Sequence, residues 1–136
     1  KKIEKVLISN RGVPAVRIIH TCRDLRIPTT AVYSSPDRLA AHVLMADSAV
    51  HIGEAPPIQS YLNMEKNIAA AKKSSSNAIH PGWGFLAENP DFAQMVIDAG
   101  LIWIGPSPEV IRMMGDKVEA KKTGPGGQRA DDSRIE

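Results

Sequence analysis

A chain of 136 residues, 43% hydrophobic and 24% charged, has the size and composition of one folded domain, which excludes an intrinsically disordered protein. The net charge of +2 is scattered along the chain, so neither nucleic acid nor a membrane is an expected partner. Short apolar runs exclude a transmembrane helix and a secretory signal. The single cysteine, Cys22, excludes an internal disulfide and fits an intracellular, reducing setting.

The chain begins with a predicted strand and an amphipathic helix. Residues 5–9 form an apolar run that is too brief for a helix. From Pro14 to Leu25 the apolar residues then recur at intervals of three and four, which predicts a helix with one apolar side. Cys22 lies on that side, where we expect it to fill the core rather than to act as a nucleophile.

Strands and helices continue to alternate along the rest of the chain. The further predicted strands are 29–33, 49–52, 78–80 and 101–104, and the further predicted helices are 40–46, 62–73, 90–99, 108–114 and 117–122. Asn89 and Ser107 are candidate N-caps, each followed by a proline that suits the first helical position. Gly115 is expected to separate the last two helices. The prolines within 53–60 predict a loop with no helix there.

This alternation predicts an α/β domain with a doubly wound, parallel sheet of about five strands and helices on both faces. The turns that follow the strands would then meet at the carboxyl edge of the sheet, where open α/β folds bind their ligands. Several of these turns contain glycine, so we expect a glycine-rich rim. Residues 123–136 are rich in glycine and mixed charge, and we expect them to form a disordered tail.

The stretch 79–90 is the most informative part of the sequence, because it places a large aromatic residue between two glycines. Gly82 and Gly84 free the backbone on both sides of Trp83 for positive φ angles or for close approach to a ligand. The indole is therefore displayed on a shaped loop between a strand and a helix. Two interpretations remain open at this point: Trp83 covers the core as a lid, or it contacts a ligand.

Spacing of the polar residues predicts no catalytic constellation. Neither G-x-G-x-x-G after the first strand nor G-x-x-x-x-G-K-[ST] is present, and the four histidines are too scattered for a metal site. Arg11 could bind an anion at the start of the first helix or form a salt bridge. Glu88 and Asp91 flank a helix start, where the helix dipole explains them. Lys117 is by composition an exposed lysine.

Several long motifs, in order and in register, resemble the N-terminal domain of biotin carboxylase. They are KVLISNRG from Lys5, AD from Ala46, QSYLN from Gln59, HPGWGFLAEN from His80 and MGDK from Met114. The resemblance covers residue 5 to about residue 122, so the domain is assigned to 1–122. It implies a Rossmann-like domain that precedes an ATP-grasp domain in acyl-CoA and pyruvate carboxylases.

The resemblance also implies ligands and site residues. The family uses ATP and bicarbonate, with Mg²⁺ or Mn²⁺, to carboxylate biotin at N1′. By position, Trp83 replaces the family's usual tyrosine beside the biotin ureido ring, and Gly82 and Gly84 shape the approach. Lys117 matches a lysine that contacts the nucleotide phosphates. The resemblance assigns no catalytic residue and no metal ligand to this chain, because the family's residues for those tasks lie in the ATP-grasp region.

Two departures from the family pattern accompany this resemblance. Val13 and Pro14 stand where the family usually has Glu-Ile, and the glycine-rich segment stands where the family continues into the ATP-grasp domain. We therefore expect a fragment or truncated relative without carboxylase activity alone. Its expected partners are the ATP-grasp domain, the biotin carboxyl carrier and the carboxyltransferase, in the cytoplasm or the mitochondrial matrix, with self-association as a weaker expectation. The alternative is a non-catalytic assembly module that retains the fold.

Overall fold

A five-stranded sheet, parallel throughout, organises the computed structural model, which describes residues 2–123. The strands are β1 (Val6–Ile8), β2 (Thr29–Ser34), β3 (Ser48–Gly53), β4 (Ala78–His80) and β5 (Ile102–Trp103), in the spatial order β3-β2-β1-β4-β5. The helices are α1 (Gly12–Asp24), α2 (Ala41–Met45), α3 (Met64–Lys73), α4 (Pro90–Asp98) and α5 (Pro108–Thr123). The predicted fold class, a doubly wound α/β domain, is confirmed.

β1 occupies the centre of the sheet, with two strands on either side of it. Val6 lies opposite Thr29 of β2 and opposite Ala78 of β4, and all three residues of β1 are buried. Strands that are buried on both faces have continuous apolar sequences rather than alternating ones, as this one does. Because all five strands are parallel, their carboxyl ends meet at one edge of the sheet.

Each face of the sheet has its own apolar core, since successive side chains of a strand point to opposite faces. On one face Leu7 and Ile79 pack with Phe92 of α4 and with α3. On the other face Val6, Ile8 and Ala78 pack with α1, and this cluster includes Ile18, Ile19 and Cys22. Cys22 is 7% exposed, so its predicted place in the core is confirmed. Burial raises the pKa of its thiol.

The face that carries α1 is only partly covered. Beside α1, a groove of about 520 Å³ runs over the end of the sheet that contains β4 and β5. Apolar side chains line most of it, including Ile18, Cys22 and Ile104, and Trp83 borders it. Within residues 2–123, no helix combines the length and the apolar character needed to cross a membrane.

Two of the helix starts agree with the caps predicted from the sequence. The Asn89 side chain accepts hydrogen bonds from the backbone N–H groups of Asp91 and Phe92, which satisfies two donors at the start of α4. The Ser107 hydroxyl accepts from Val110 N–H at the start of α5. A third cap, Asn63, accepts from Lys66 N–H and starts α3 two residues later than predicted.

Two predictions about the helices are wrong. Gly115 does not interrupt the last helix, because α5 is continuous from Pro108 to Thr123. The loop predicted for 53–60 contains a 3₁₀ turn, Pro57–Gln59, whose first residue is a proline that already has the required φ. Of the tail predicted for 123–136, Thr123 ends α5 and the remainder lies outside the described residues.

Candidate functional site

The loops after β1 and β4 lie side by side at the carboxyl edge of the sheet, because these strands are neighbours. Ile8 lies opposite His80 in the register, and Ser9 N–H donates to the His80 carbonyl at 3.0 Å. Asn10 lies in the loop after β1, and residues 81–85 lie in the loop after β4. These two segments therefore meet, although they are about seventy residues apart in sequence.

Asn10 holds the two loops together. Its side chain is almost completely buried, with 1% of the residue exposed. The amide nitrogen donates to the carbonyl oxygens of Pro81, at 2.7 Å, and Trp83, at 2.9 Å. The amide oxygen accepts from Arg11 N–H at 2.7 Å. Both N–H donors and one acceptor site of this amide are thus in use, which fixes its orientation.

Gly82 and Gly84 serve the loop in different ways. Both have positive φ, 68° and 76° respectively, which favours glycine. A β-carbon on Gly82 would lie 2.6 Å from Nδ2 of Asn10, so a side chain there would separate the two loops. A β-carbon on Gly84 would meet nothing within 4 Å. Close packing therefore requires glycine at 82, whereas backbone conformation alone favours it at 84.

Trp83 projects from this loop into solvent. It is 55% exposed and borders the groove beside α1, together with His80 and Ile104. The backbone of the loop is therefore fixed by buried hydrogen bonds while its largest side chain stays accessible. That combination differs from a lid over the core, in which the aromatic ring itself would be buried.

A second polar network anchors the far end of the loop. Arg11 forms a two-pronged ion pair with Asp37, with Nε 2.6 Å from Oδ2 and Nη2 2.9 Å from Oδ1. The Tyr61 hydroxyl donates to Asp37 at 2.6 Å and accepts from Ser34 N–H at 3.0 Å. The ring of Tyr61 then packs against Phe85, with ring centroids 5.6 Å apart.

The ion pair and burial shift the pKa values of the titratable groups in this network and beside it. The hydrogen bond from Arg11 lowers the pKa of Asp37 to about 2, against the opposing effect of burial, and Tyr61 adds to the lowering. The same ion pair raises the pKa of Arg11. Burial, followed by the hydrogen bond to Asp37, raises the pKa of Tyr61. Burial lowers the pKa of His80, whose Nδ1 accepts from Gly82 N–H at 3.0 Å.

Comparison with known proteins identifies the domain. Residues 2–111 match the family model described as biotin carboxylase, N-terminal domain. The chain belongs to this family. It is 59% identical over 120 residues to the biotin-dependent acyl-coenzyme A carboxylase alpha3 subunit of Mycobacterium leprae, and 58% identical over 118 residues to the biotin carboxylase of Allochromatium vinosum. These matches cover 88% and 87% of the chain but only 20% and 26% of the relatives.

Solved structures give the same assignment. The biotin carboxylase subunit of a pyruvate carboxylase superposes with a TM-score of 0.82 at 48% identity, over 89% of this chain and 27% of that one. The biotin carboxylase domain of Hydrogenobacter thermophilus 2-oxoglutarate carboxylase superposes with a TM-score of 0.82 at 44% identity, over 90% and 27%. That structure is a dimer in complex with MgADP, ADP and bicarbonate.

The predicted site residues lie on two different surfaces of the domain. Gly82, Trp83 and Gly84 lie together at the carboxyl edge, clamped by Asn10. Lys117 is exposed on α5, where it lines a different groove with Val110, Met113, Met114 and Asp116. Within residues 2–123, no group of three or more His, Cys, Asp and Glu side chains is arranged to hold a metal ion.

The structure also decides what the ambiguous polar residues do. Arg11 forms the salt bridge, the second of its two open interpretations. Asp91 lies 3.4 Å from Arg112 of α5 in an exposed ion pair. The structural roles of Asn10, Asp37 and Tyr61 were not predicted from the sequence. The only signal was indirect: Asn10 directly follows a buried strand, and Tyr61 lies in one of the family motifs.

Proposed function

We propose that the chain contributes one wall of the biotin and nucleotide sites of an ATP- and bicarbonate-dependent biotin carboxylase. The observation that carries the proposal is an exposed Trp83 on a tightly clamped glycine loop, at the edge of the sheet where open α/β folds bind ligands. Family membership supports the substrate class, because the chain is 58% identical to a biotin carboxylase over its matched length.

The residues at the loop fit a biotin ring. The bicyclic ureido group of biotin is compact and largely apolar on its faces, and the indole offers a broad apolar surface beside a groove of about 520 Å³. Gly82 and Gly84 add no side chain that would compete for that surface. Trp83 lacks the phenolic hydroxyl of tyrosine, so it contributes van der Waals contact and no hydrogen bond from that position.

Lys117 is the proposed nucleotide contact. Its side chain is exposed on α5, so its ammonium group is available as a compact positive charge for phosphate oxygens. The complex of the Hydrogenobacter thermophilus domain with MgADP and bicarbonate supports a nucleotide and Mg²⁺ as ligands of the longer protein. Mn²⁺ would suit the same oxygen-rich chemistry. The metal ligands would come from the ATP-grasp domain.

Under this proposal the chain supplies contacts to the ligands, and we expect no catalysis by the chain alone. We expect bicarbonate activation and carboxyl transfer to require an ATP-grasp domain, and product use to require a biotin carboxyl carrier and a carboxyltransferase. Relatives described as acyl-coenzyme A carboxylase subunits support such partners for the longer protein.

Titration calorimetry of the purified 136-residue chain tests the proposal with free biotin and, separately, with Mg-ATP. Trp83→Ala should abolish detectable biotin binding, whereas Trp103→Phe, at the other tryptophan, should leave it unchanged. Lys117→Ala should weaken Mg-ATP binding about tenfold or more, because it removes a charged hydrogen-bond donor. Lys72→Ala, at an exposed lysine of α3, is the matched control.

Two results would contradict the proposal. One is the absence of heat with both ligands from a chain that circular dichroism shows to be folded. The other is unchanged binding in Trp83→Ala and Lys117→Ala. ATP-dependent carboxylation of biotin by the chain alone would contradict the expected lack of activity.

A further inference from the structure

We propose that Asn10 is a positioning residue that fixes the direction in which Trp83 is presented. Asn10 does not border the groove itself and is 1% exposed, so it acts through the loop backbone rather than on a ligand. The link to biotin rests on the proposed function, whereas the link between Asn10 and Trp83 rests on geometry alone.

The two hydrogen bonds that the Asn10 amide donates reach the residues before and after Gly82. Its two N–H donors reach the carbonyls of Pro81 and Trp83, on either side of Gly82, at 2.7 and 2.9 Å. A primary amide nitrogen carries two N–H donors, so it can serve both carbonyls at once. Aspartate has the same shape but would place oxygen against oxygen at both contacts. The backbone between 81 and 83 is therefore curled around one side-chain group.

The position of Gly82 supports the same conclusion from the other side of the contact. The absent β-carbon of Gly82 would lie 2.6 Å from Nδ2 of Asn10 and 3.2 Å from its Cβ. The loop thus packs directly on the asparagine, with its backbone in a positive-φ conformation that favours glycine. Because this turn immediately precedes Trp83, its shape sets where the Cα–Cβ bond of the tryptophan points.

The neighbouring residue holds the other end of the loop. Arg11, bonded to Asp37 and through it to Tyr61, supports the ring contact between Tyr61 and Phe85. Consecutive residues at the end of β1 thus anchor the loop on both sides of Gly84. The Trp83 carbonyl takes part in the first anchor, yet the residue remains 55% exposed. A rigid backbone under an exposed aromatic ring is the arrangement expected of a preorganised contact surface.

Asn10→Asp in the Trp103→Phe background tests the proposal, because Trp83 is then the only fluorophore of its kind. At pH 7, we expect a lower fluorescence anisotropy and stronger acrylamide quenching of Trp83. Hydrogen exchange in a peptide that covers 79–88 should become about tenfold faster or more, since two hydrogen bonds that close this loop are lost.

Asn77→Asp is the matched control. At the opposite edge of the sheet, the Asn77 amide nitrogen donates to the Lys2 carbonyl, and its amide oxygen accepts from the N–H groups of Glu4 and Lys5. The substitution removes the long-range donation and keeps an acceptor for the other two bonds, so it should leave the anisotropy and quenching of Trp83 unchanged. If Asn10→Asp does not fold, Gly82→Ala separates the same contact from the loop side and should mobilise Trp83 in the same way.

The outcomes distinguish this proposal from the proposed function. Unchanged anisotropy, quenching and local exchange in folded Asn10→Asp, or identical changes in Asn77→Asp, would overturn the positioning role. A mobile Trp83 in Asn10→Asp, accompanied by weaker binding of free biotin than in the parent, would support both proposals. A mobile Trp83 in a protein whose parent binds no biotin would support the positioning role and contradict the biotin site.

Discussion

The two edges of the sheet solve the same structural problem with different chemistry. At the amino edge, Asn77 ties the segment before β1 to the start of β4, as Asn10 ties the two loops at the carboxyl edge. Around Asn77, however, neutral hydroxyl groups continue the network: Ser74 contacts Ser76, Ser76 contacts Thr30, and Thr30 contacts Ser48. Around Asn10, the network contains the Arg11 and Asp37 ion pair.

The two edges therefore differ in the kind of close contacts that they contain. The amino edge combines neutral side chains with single charged groups that bond to the backbone, as Asp47 does with Thr29 N–H and Lys5 with the Ser74 carbonyl. The described residues there do not surround an exposed aromatic ring. The carboxyl edge combines charge, buried hydrogen bonds and closely packed glycines, and it uses them to support one exposed indole. Local restraint beyond what the fold requires is the property that separates a candidate site from an ordinary turn.

Glycine substitutions should give the largest contrast between the edges. Gly53 ends β3 at the carboxyl edge, and a β-carbon there would overlap the backbone carbonyl of Gln59. Gly53→Ala is expected to lower the free energy of unfolding by ~3 kcal/mol or more, since a backbone atom cannot rotate aside. Gly100, before β5, has a φ of 82° and open space around its β position, so Gly100→Ala should cost ~1 kcal/mol.

Urea denaturation of both variants measures this contrast directly. Equal losses of stability would show that close approach adds nothing to the conformational preference. Gly53 and Gly100 would then not distinguish the two edges of the sheet.

Acid should affect the carboxyl edge first. Because its pKa is lowered from 3.8 to about 2, the Asp37 carboxylate stabilises the native state above about pH 4, and this contribution is lost as the pH falls towards 2. The shift corresponds to ~2 kcal/mol at most. The Asp37 side chain is 14% exposed but that of Arg11 is 45% exposed, so solvent screening makes the actual contribution smaller than this.

Asp37→Asn should remove this part of the acid dependence, which denaturation at pH 5, 4 and 3 would reveal as a flatter stability profile. Amide exchange by NMR adds a local measurement: Ser34, bonded to Tyr61, should lose protection before Ser76 at the amino edge. Simultaneous loss at both amides would indicate that the edges respond as one unit.

The smallest expected effect comes from a single hydroxyl. Tyr61→Phe leaves Ser34 N–H without its partner and removes a donor from Asp37, so we expect a loss of about 1–2 kcal/mol. Tyr33→Phe, on the neighbouring segment of β2, should change stability by less than ~0.5 kcal/mol. Thermal unfolding of the two variants is sufficient, and a similar melting temperature for both would contradict a structural role for the Tyr61 hydroxyl.

Most of the fold could be predicted from local sequence, because strand and helix periodicities and the caps at Asn89 and Ser107 act over a few residues. The errors concern residues whose effect depends on context. Gly115 costs a helix about 1 kcal/mol relative to alanine, which lowers helix propensity without ending the helix. Pro57 was expected to exclude a helix, yet it fits the first residue of a 3₁₀ turn.

The candidate site was only partly predictable. Gly82 and Gly84 predict an unusual turn, because the pattern of glycine on both sides of an aromatic residue can be recognised within a few residues of sequence. Asn10 carries no such signal, because its partners are 71 and 73 residues away and become neighbours only through the pairing of β1 with β4. Arg11 was correctly considered as a salt-bridge residue, but its partner depends on the same three-dimensional arrangement. The ligand roles of Trp83 and Lys117 stay predictions.

The central position of β1 has a consequence for the order in which the domain assembles during synthesis. β1 can pair with β2 once residue 34 has left the ribosome, but its other edge stays open until β4, residues 78–80, has been made. Asn10 therefore meets its carbonyl partners late, after contacts of much shorter sequence separation have formed. The loop that presents Trp83 would therefore become rigid only after β4 has been made and has paired with β1.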